Sequence, residues 1–164
     1  MSGPMLKAAV DAILASTRLD RSHDVPYLAG YSRDGKTIYI DKDLPRSFSA
    51  GGVRVKVDRF LILHEAVEKT LLDSLGLVYQ HAHQIALRAE QAAVRAAGVS
   101  WRVYDRFMAR YIKEADDVID RLPHDLDIKP YRDEHDVQLL KRMRAEAARD
   151  LAKRRAPRGR RKGR

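Results

Sequence analysis

Six side chains carry most of the chemistry this sequence offers: His64, Glu65, Glu68, Tyr79, His83 and Glu90. In the segment His64-Glu65-Ala66-Val67-Glu68, an imidazole and a carboxylate stand at i and i+4. On a helix that spacing places them one turn apart, about 6 Å along the axis, so that both can reach a single ion. A neighbouring antiparallel helix can bring His83 to the third position, and two histidines with one carboxylate form a common zinc set. The chain contains no cysteine, so thiolate ligands, disulfides and cysteine nucleophiles are excluded, and any metal must be held by His, Asp and Glu.

The pattern gains weight from where these residues fall on their helices. Advancing 100° per residue, Phe60, Leu61, Leu71, Leu72 and Leu75 define an apolar face, and His64 and Glu68 lie in the middle of it. Glu65 lies at its margin. On the next helix Gln80, His81, Gln84, Arg88, Gln91 and Arg95 share a polar side, whereas His83 and Glu90 fall among Ala82, Ala86, Ala89, Ala93, Val94 and Ala97. This geometry selects His83 over His81. Four ionisable groups pointing into a core require compensation, because an unpaired buried charge costs several kcal/mol. A divalent metal, zinc or another, supplies it. Glu90, two turns beyond His83, is expected to support a ligand or form a salt bridge, and Tyr79 to stand beside the site. The competing reading has core histidines satisfied by hydrogen bonds and Glu68 paired with Arg59, Arg88 or His83.

These helices need a frame. With 164 residues and 45% hydrophobic content, the chain can bury one good core. Pro4 and the stripe Leu6, Val10, Ile13, Leu14 predict an amphipathic helix over 4–18. Tyr27 to Ser32 and Lys36 to Ile40, around Arg33-Asp34-Gly35, predict a hairpin. After a connection through Pro45, Ser47, Ser49, Gly51 and Gly52, alternating Val53, Val55 and Val57 predict a further strand. Helices follow over 59–75, with Asp58 as cap and Gly76 as stop, over 79–97 up to Gly98, and from Ser100 to Leu122 before Pro123. The expected architecture is α+β, a small antiparallel sheet near the N-terminus followed by a core of three main helices. Residues 1–136 form one globular domain, with 123–136 an extended wrap, 137–153 a basic helix and 154–164 a disordered basic tail.

His64-Glu65-x-x-Glu68 on a helix, with a small sheet before it and a further ligand on the next helix, resembles the minimal zincin metallopeptidases, whose motif is H-E-x-x-H. The resemblance implies zinc at His64, with Glu65 polarising the attacking water. It also implies an edge strand, Lys36 to Ile40 or Val53 to Val57, that holds an extended peptide substrate. The chain departs from that family at Glu68, where the motif has its second histidine; a carboxylate there makes the metal less electrophilic. The chain is also similar, over about residues 26–132, to uncharacterised bacterial and phage proteins with an H-E-x-x-E segment, a Tyr-x-x-Ala-His segment and a Tyr-Ile-Asp strand. Here these are His64 to Glu68, Tyr79 to His83, and Tyr39 to Asp41.

Two functional readings result. The first is a zincin-like metal-dependent hydrolase, most plausibly a peptidase acting on a peptide or protein. The second is a non-catalytic phage or bacterial binding or assembly protein, with a structural metal or buried polar cluster. The net charge of +9 belongs to residues 141–164, where twelve Lys/Arg oppose Glu146 and Asp150, so the globular part is near neutral. That segment, lacking aromatics, is expected to contact nucleic acid or an acidic partner through charge alone. No apolar run reaches the length of a membrane span and no signal peptide is evident, so a soluble, cytoplasmic protein is expected. Asp20, His23, Asp24, Asp41 and Asp43 read as solvated loop residues, with a place near a site the alternative; Asp125, Asp127, Asp133, Glu134, His135 and Asp136 read as facing solvent or the tail, and Tyr39 and Tyr79 as aromatic core or rim packing, with oxyanion donation the alternative.

Overall fold

Chain reversals at Asp34-Gly35 and Gly51-Gly52 organise the N-terminal half. The computed structural model describes residues 3–134 together with positions 141, 144, 145, 148 and 149, which are helical. The helix expected over 137–153 is otherwise outside the described residues, as is the tail over 154–164. Helix α1 (Gly3–Leu14) buries Leu6 and Val10 and ends before 18, because Arg18–Asp20 forms a strand, β1. The expected hairpin pairs β2 (Ala29–Tyr31) with β3 (Thr37–Ile40), antiparallel, while β1 joins β3 in parallel. The sheet is therefore mixed, with order β1-β3-β2, rather than purely antiparallel. Its central strand, β3, is buried throughout.

A separate hairpin joins β4 (Ser47–Ala50) to β5 (Val53–Lys56). Positive φ at Gly51 and Gly52, 55° and 80°, fits the two-residue turn that matches strand twist, so the connection expected over 47–52 is a strand and its turn. Helix α2 (Asp58–Asp73) follows, and its apolar stripe packs against both sheet and helices. Asp58 does not cap it: the carboxylate faces Arg21 Nε at 3.7 Å and Arg46 Nη1 at 3.6 Å. Leu75, assigned to the apolar face, lies beyond the helix end and is exposed. After Gly76, at φ 62°, the chain reverses into α3 (Tyr79–Ala96), and α2 and α3 pack closely side by side.

The third long helix is cut short. α4 (Trp101–Ala109) is followed by an irregular stretch and only one further turn, α5 (Ala115–Val118). Lys113 accounts for the break: its Nζ lies 2.7 Å from Asp24, 2.9 Å from Asp41 and 2.7 Å from Asp43, and its carbonyl accepts the Tyr27 amide at 3.1 Å. Asp24 and Asp41 are thus buried partners of a lysine, not solvated loop acids. Trp101, Tyr104, Phe107, Met108, Tyr111, Ile112, Ala115, Val118, Ile119 and Leu122 recur at three- and four-residue steps, which predicts one core-facing stripe, but Ile112 and Ile119 are exposed. The expected wrap contains α6 (Lys129–Glu134), whose Tyr131 is buried against the sheet. No helix among the described residues is long and apolar enough to cross a membrane.

Candidate metal centre

The pairing of α2 with α3 brings together the residues that the helical phase singled out. His64, Glu65 and Glu68 on α2 and Glu90 on α3 are buried, and the His83 side chain is 30% exposed. One ligand atom from each of His64, Glu68 and His83 lies within 4.8 Å of the others, so the three can hold a metal ion. Two separations can be compared with a tetrahedral site, whose ligand atoms stand about 3.3 Å apart at zinc–nitrogen and zinc–oxygen distances. His64 Nε2 is 3.5 Å from Glu68 Oε2, and His83 Nδ1 is 2.8 Å from the same oxygen. The first fits directly. The second is a hydrogen-bond length, shorter than such a site sets.

Support for the ligands reaches deep into the core. His64 Nδ1 meets Glu90 Oε2 at 2.8 Å, and Tyr104 donates its hydroxyl to Glu90 Oε1 at 2.7 Å. Glu90 therefore holds His64 by one ring nitrogen and turns Nε2 toward Glu68, as carboxylates do for metal-bound imidazoles. Tyr79 OH is 3.3 Å from His83 Nδ1, with the two rings 5.4 Å apart. Tyr104 had been hidden in the sequence as one position of the α4 core stripe. The signal that marks it is chemical: a tyrosine on a fully buried face needs a partner for its hydroxyl.

The cluster is short of positive charge. Glu65, Glu68 and Glu90 put three carboxylates into a space shared with two imidazoles. Burial and the neighbouring Glu68 push Glu65 well above the carboxylate range. Burial would lower His64, but hydrogen bonds to Glu68 and Glu90 outweigh it and raise the imidazole. Burial acts against ionisation of Glu68, yet its bonds to His64 and His83 hold it below the usual value. In effect protons gather where a cation is wanted. A divalent ion at the same place would supply that charge and release them.

The cluster opens on a cleft of about 160 Å³. Glu65, at the margin of the apolar face, lines it, as do Tyr79 and the β2 backbone. The strand beside the site is therefore β2. The two segments expected there lie elsewhere, since Lys36 to Ile40 contains the central strand β3 and Val53 to Val57 contains β5 of the separate hairpin. Immediately before β2, Tyr27 and Leu28 adopt positive φ, 53° and 82°, a strained conformation for such residues, and both line the cleft. Tyr39 is not a site residue: its hydroxyl donates to Asp125 at 2.6 Å within a second small core. Comparison with known proteins finds no family profile, no curated protein and no solved structure that matches this chain.

Proposed function

We propose that this protein is a zincin-like metal-dependent hydrolase, acting on peptide bonds, with zinc held by His64, Glu68 and His83. The observation that carries the reading is the chain Tyr104–Glu90–His64, which turns one imidazole nitrogen toward Glu68 while Glu65 faces the cleft beside it. Zinc held by these three residues would supply a polarised water and stabilise negative charge on an attacked carbonyl. Glu65, facing the cleft beside the ligands, is the residue that would take up and return a proton there. The Tyr79 hydroxyl, 3.3 Å from His83 Nδ1, would be the donor to a developing oxyanion. The test is cleavage of a mixed peptide library by zinc-loaded protein and by Glu65→Gln. The variant should bind zinc normally and lose activity by about 100-fold or more; equal cleavage by both removes Glu65 as the base.

One observation favours the alternative, a binding or assembly protein whose metal only ties α2 to α3. Each candidate ligand already has a protein partner, so the cluster can hold α2 to α3 without any reaction at the site. Zinc-dependent melting without hydrolysis of any library member would decide for it.

A further inference from the structure

The register of β2 leaves half of its backbone facing outward. Leu28 O accepts from Asp41 and Ser32 N donates to Thr37, so in the antiparallel pairing with β3 the residues between them, Ala29 and Tyr31, aim their carbonyls away from the sheet. That outer edge runs along the cleft containing Glu65 and the three candidate ligands. An exposed strand edge binds extended peptide by adding a strand to it. Here the chain itself occupies the edge. Ser32 bridges Leu126 in antiparallel sense, Arg33 N donates to Asp125 O at 2.8 Å, Asp127 N donates to Tyr31 O at 2.9 Å, and Tyr131 OH donates to Ala29 O at 2.8 Å. Both outward carbonyls of β2 are thereby taken.

The two halves of this segment are held differently. Residues 124–126 are anchored outside the cleft: Asp125 by Tyr39 OH, the His124 carbonyl by Arg33, and Leu126 in the second core. Residues 127–131, which lead into the first turn of α6, lie on the cleft side, where Asp127, Pro130 and Tyr131 form part of its wall. Tyr131 lies so close over β2 that a Cβ on Gly30 would come within 2.1 Å of its hydroxyl.

We infer that residues 127–131 are a self-strap lying in the place of an extended peptide on β2, and that peptide binds by displacing them, with Asp127 as the hinge. The inference rests on the peptidase reading and adds its substrate geometry and its restraint. Only the open fraction binds, so weakening the strap tightens apparent affinity.

The experiment uses a fluorescein-labelled pool of mixed-sequence decapeptides with the full-length, zinc-loaded Glu65→Gln protein, which retains the pool uncut, with and without Tyr131→Phe. Binding is read by anisotropy and the Asp127 amide by hydrogen exchange. Tyr131→Phe removes one hydrogen bond while keeping the ring, and should tighten peptide binding about 3- to 10-fold. Added peptide should accelerate exchange at the Asp127 amide and leave the Arg33 amide, bonded to Asp125, unchanged. Absence of peptide binding, or binding without faster exchange at Asp127, overturns the strap. Peptide binding with strap release but no cleavage by the Glu65-containing protein keeps the strap and removes the peptidase reading. Cleavage with an undisturbed Asp127 amide does the reverse.

Discussion

Replacing Glu90 with glutamine separates a designed metal support from an incidental core hydrogen bond. The Glu90 carboxylate accepts from His64 at 2.8 Å and from Tyr104 at 2.7 Å, one oxygen for each donor. Glutamine keeps the shape but offers a single acceptor oxygen, and its amide nitrogen meets a second donor. One buried donor is left unpaired, at about 1–3 kcal/mol. The effect on the metal is separate: His64 loses the anionic acceptor that orients its ring and raises its basicity. Loss of such a partner weakens metal affinity about 10- to 100-fold, or about 1.4–2.7 kcal/mol. Tyr104→Phe leaves the Glu90 charge in place and should weaken zinc by less than about 5-fold. Competition with a chromophoric zinc chelator at neutral pH measures both. If Glu90→Gln binds zinc within about 2-fold of the unmodified protein while remaining folded, the carboxylate does not support a ligand.

Two further outcomes follow from the frame around the site. Lys113→Met leaves the buried Asp24 and Asp41 carboxylates without their shared cation, and should cost about 3 kcal/mol or more, a melting drop of about 6–12 °C for a chain of this size. The pH dependence weakens with it. Hydrogen bonds from Lys113 and Lys42 hold Asp24 down at about 2, against 3.8 for the free side chain. That stabilisation is present above pH 3.8 and is lost as pH falls toward 2. In the variant Asp24 keeps Lys42 at 2.8 Å but loses Lys113, so the stability lost on acidification should be smaller than in the unmodified protein, and thermal melts from pH 7 to pH 2 read the difference. Gly30→Ala places a Cβ 2.1 Å from the Tyr131 hydroxyl and 3.0 Å from Leu126 Cδ1. It should destabilise by about 1–3 kcal/mol; adding Tyr131→Phe should recover part of that loss, and strict additivity in denaturant titrations would show that the two groups do not meet.

Much of the centre could be read from helical phase alone. His64, Glu68, His83 and Glu90 fall on apolar faces in the sequence, and α2 and α3 turn those faces toward each other. Choosing His83 over His81 needed only the 100° step, and His81 is indeed exposed. What escaped depended on distant partners. β1 is three residues long and pairs with a strand nearly twenty positions away, so no local alternation announces it. β4, Ser-Phe-Ser-Ala, has little strand propensity of its own and is recruited by the Gly51-Gly52 turn. The α4 stripe continues in sequence past Ala109, but the lysine that fills the Asp24–Asp41–Asp43 cluster pulls the backbone out of the helix. The strand beside the site escapes the sequence for a similar reason: which hairpin arm lies at the edge depends on β1, which takes the other side of β3.

The claim on which everything else rests is that His64, Glu68 and His83 form one metal site. Elemental analysis of the full-length protein, purified without chelator and exchanged from excess zinc, tests it most directly when run beside His83→Ala. The account predicts about one zinc per chain, with most of it lost in the variant. Less than about 0.2 zinc per chain in the unmodified protein, or equal loading of His83→Ala, would contradict it.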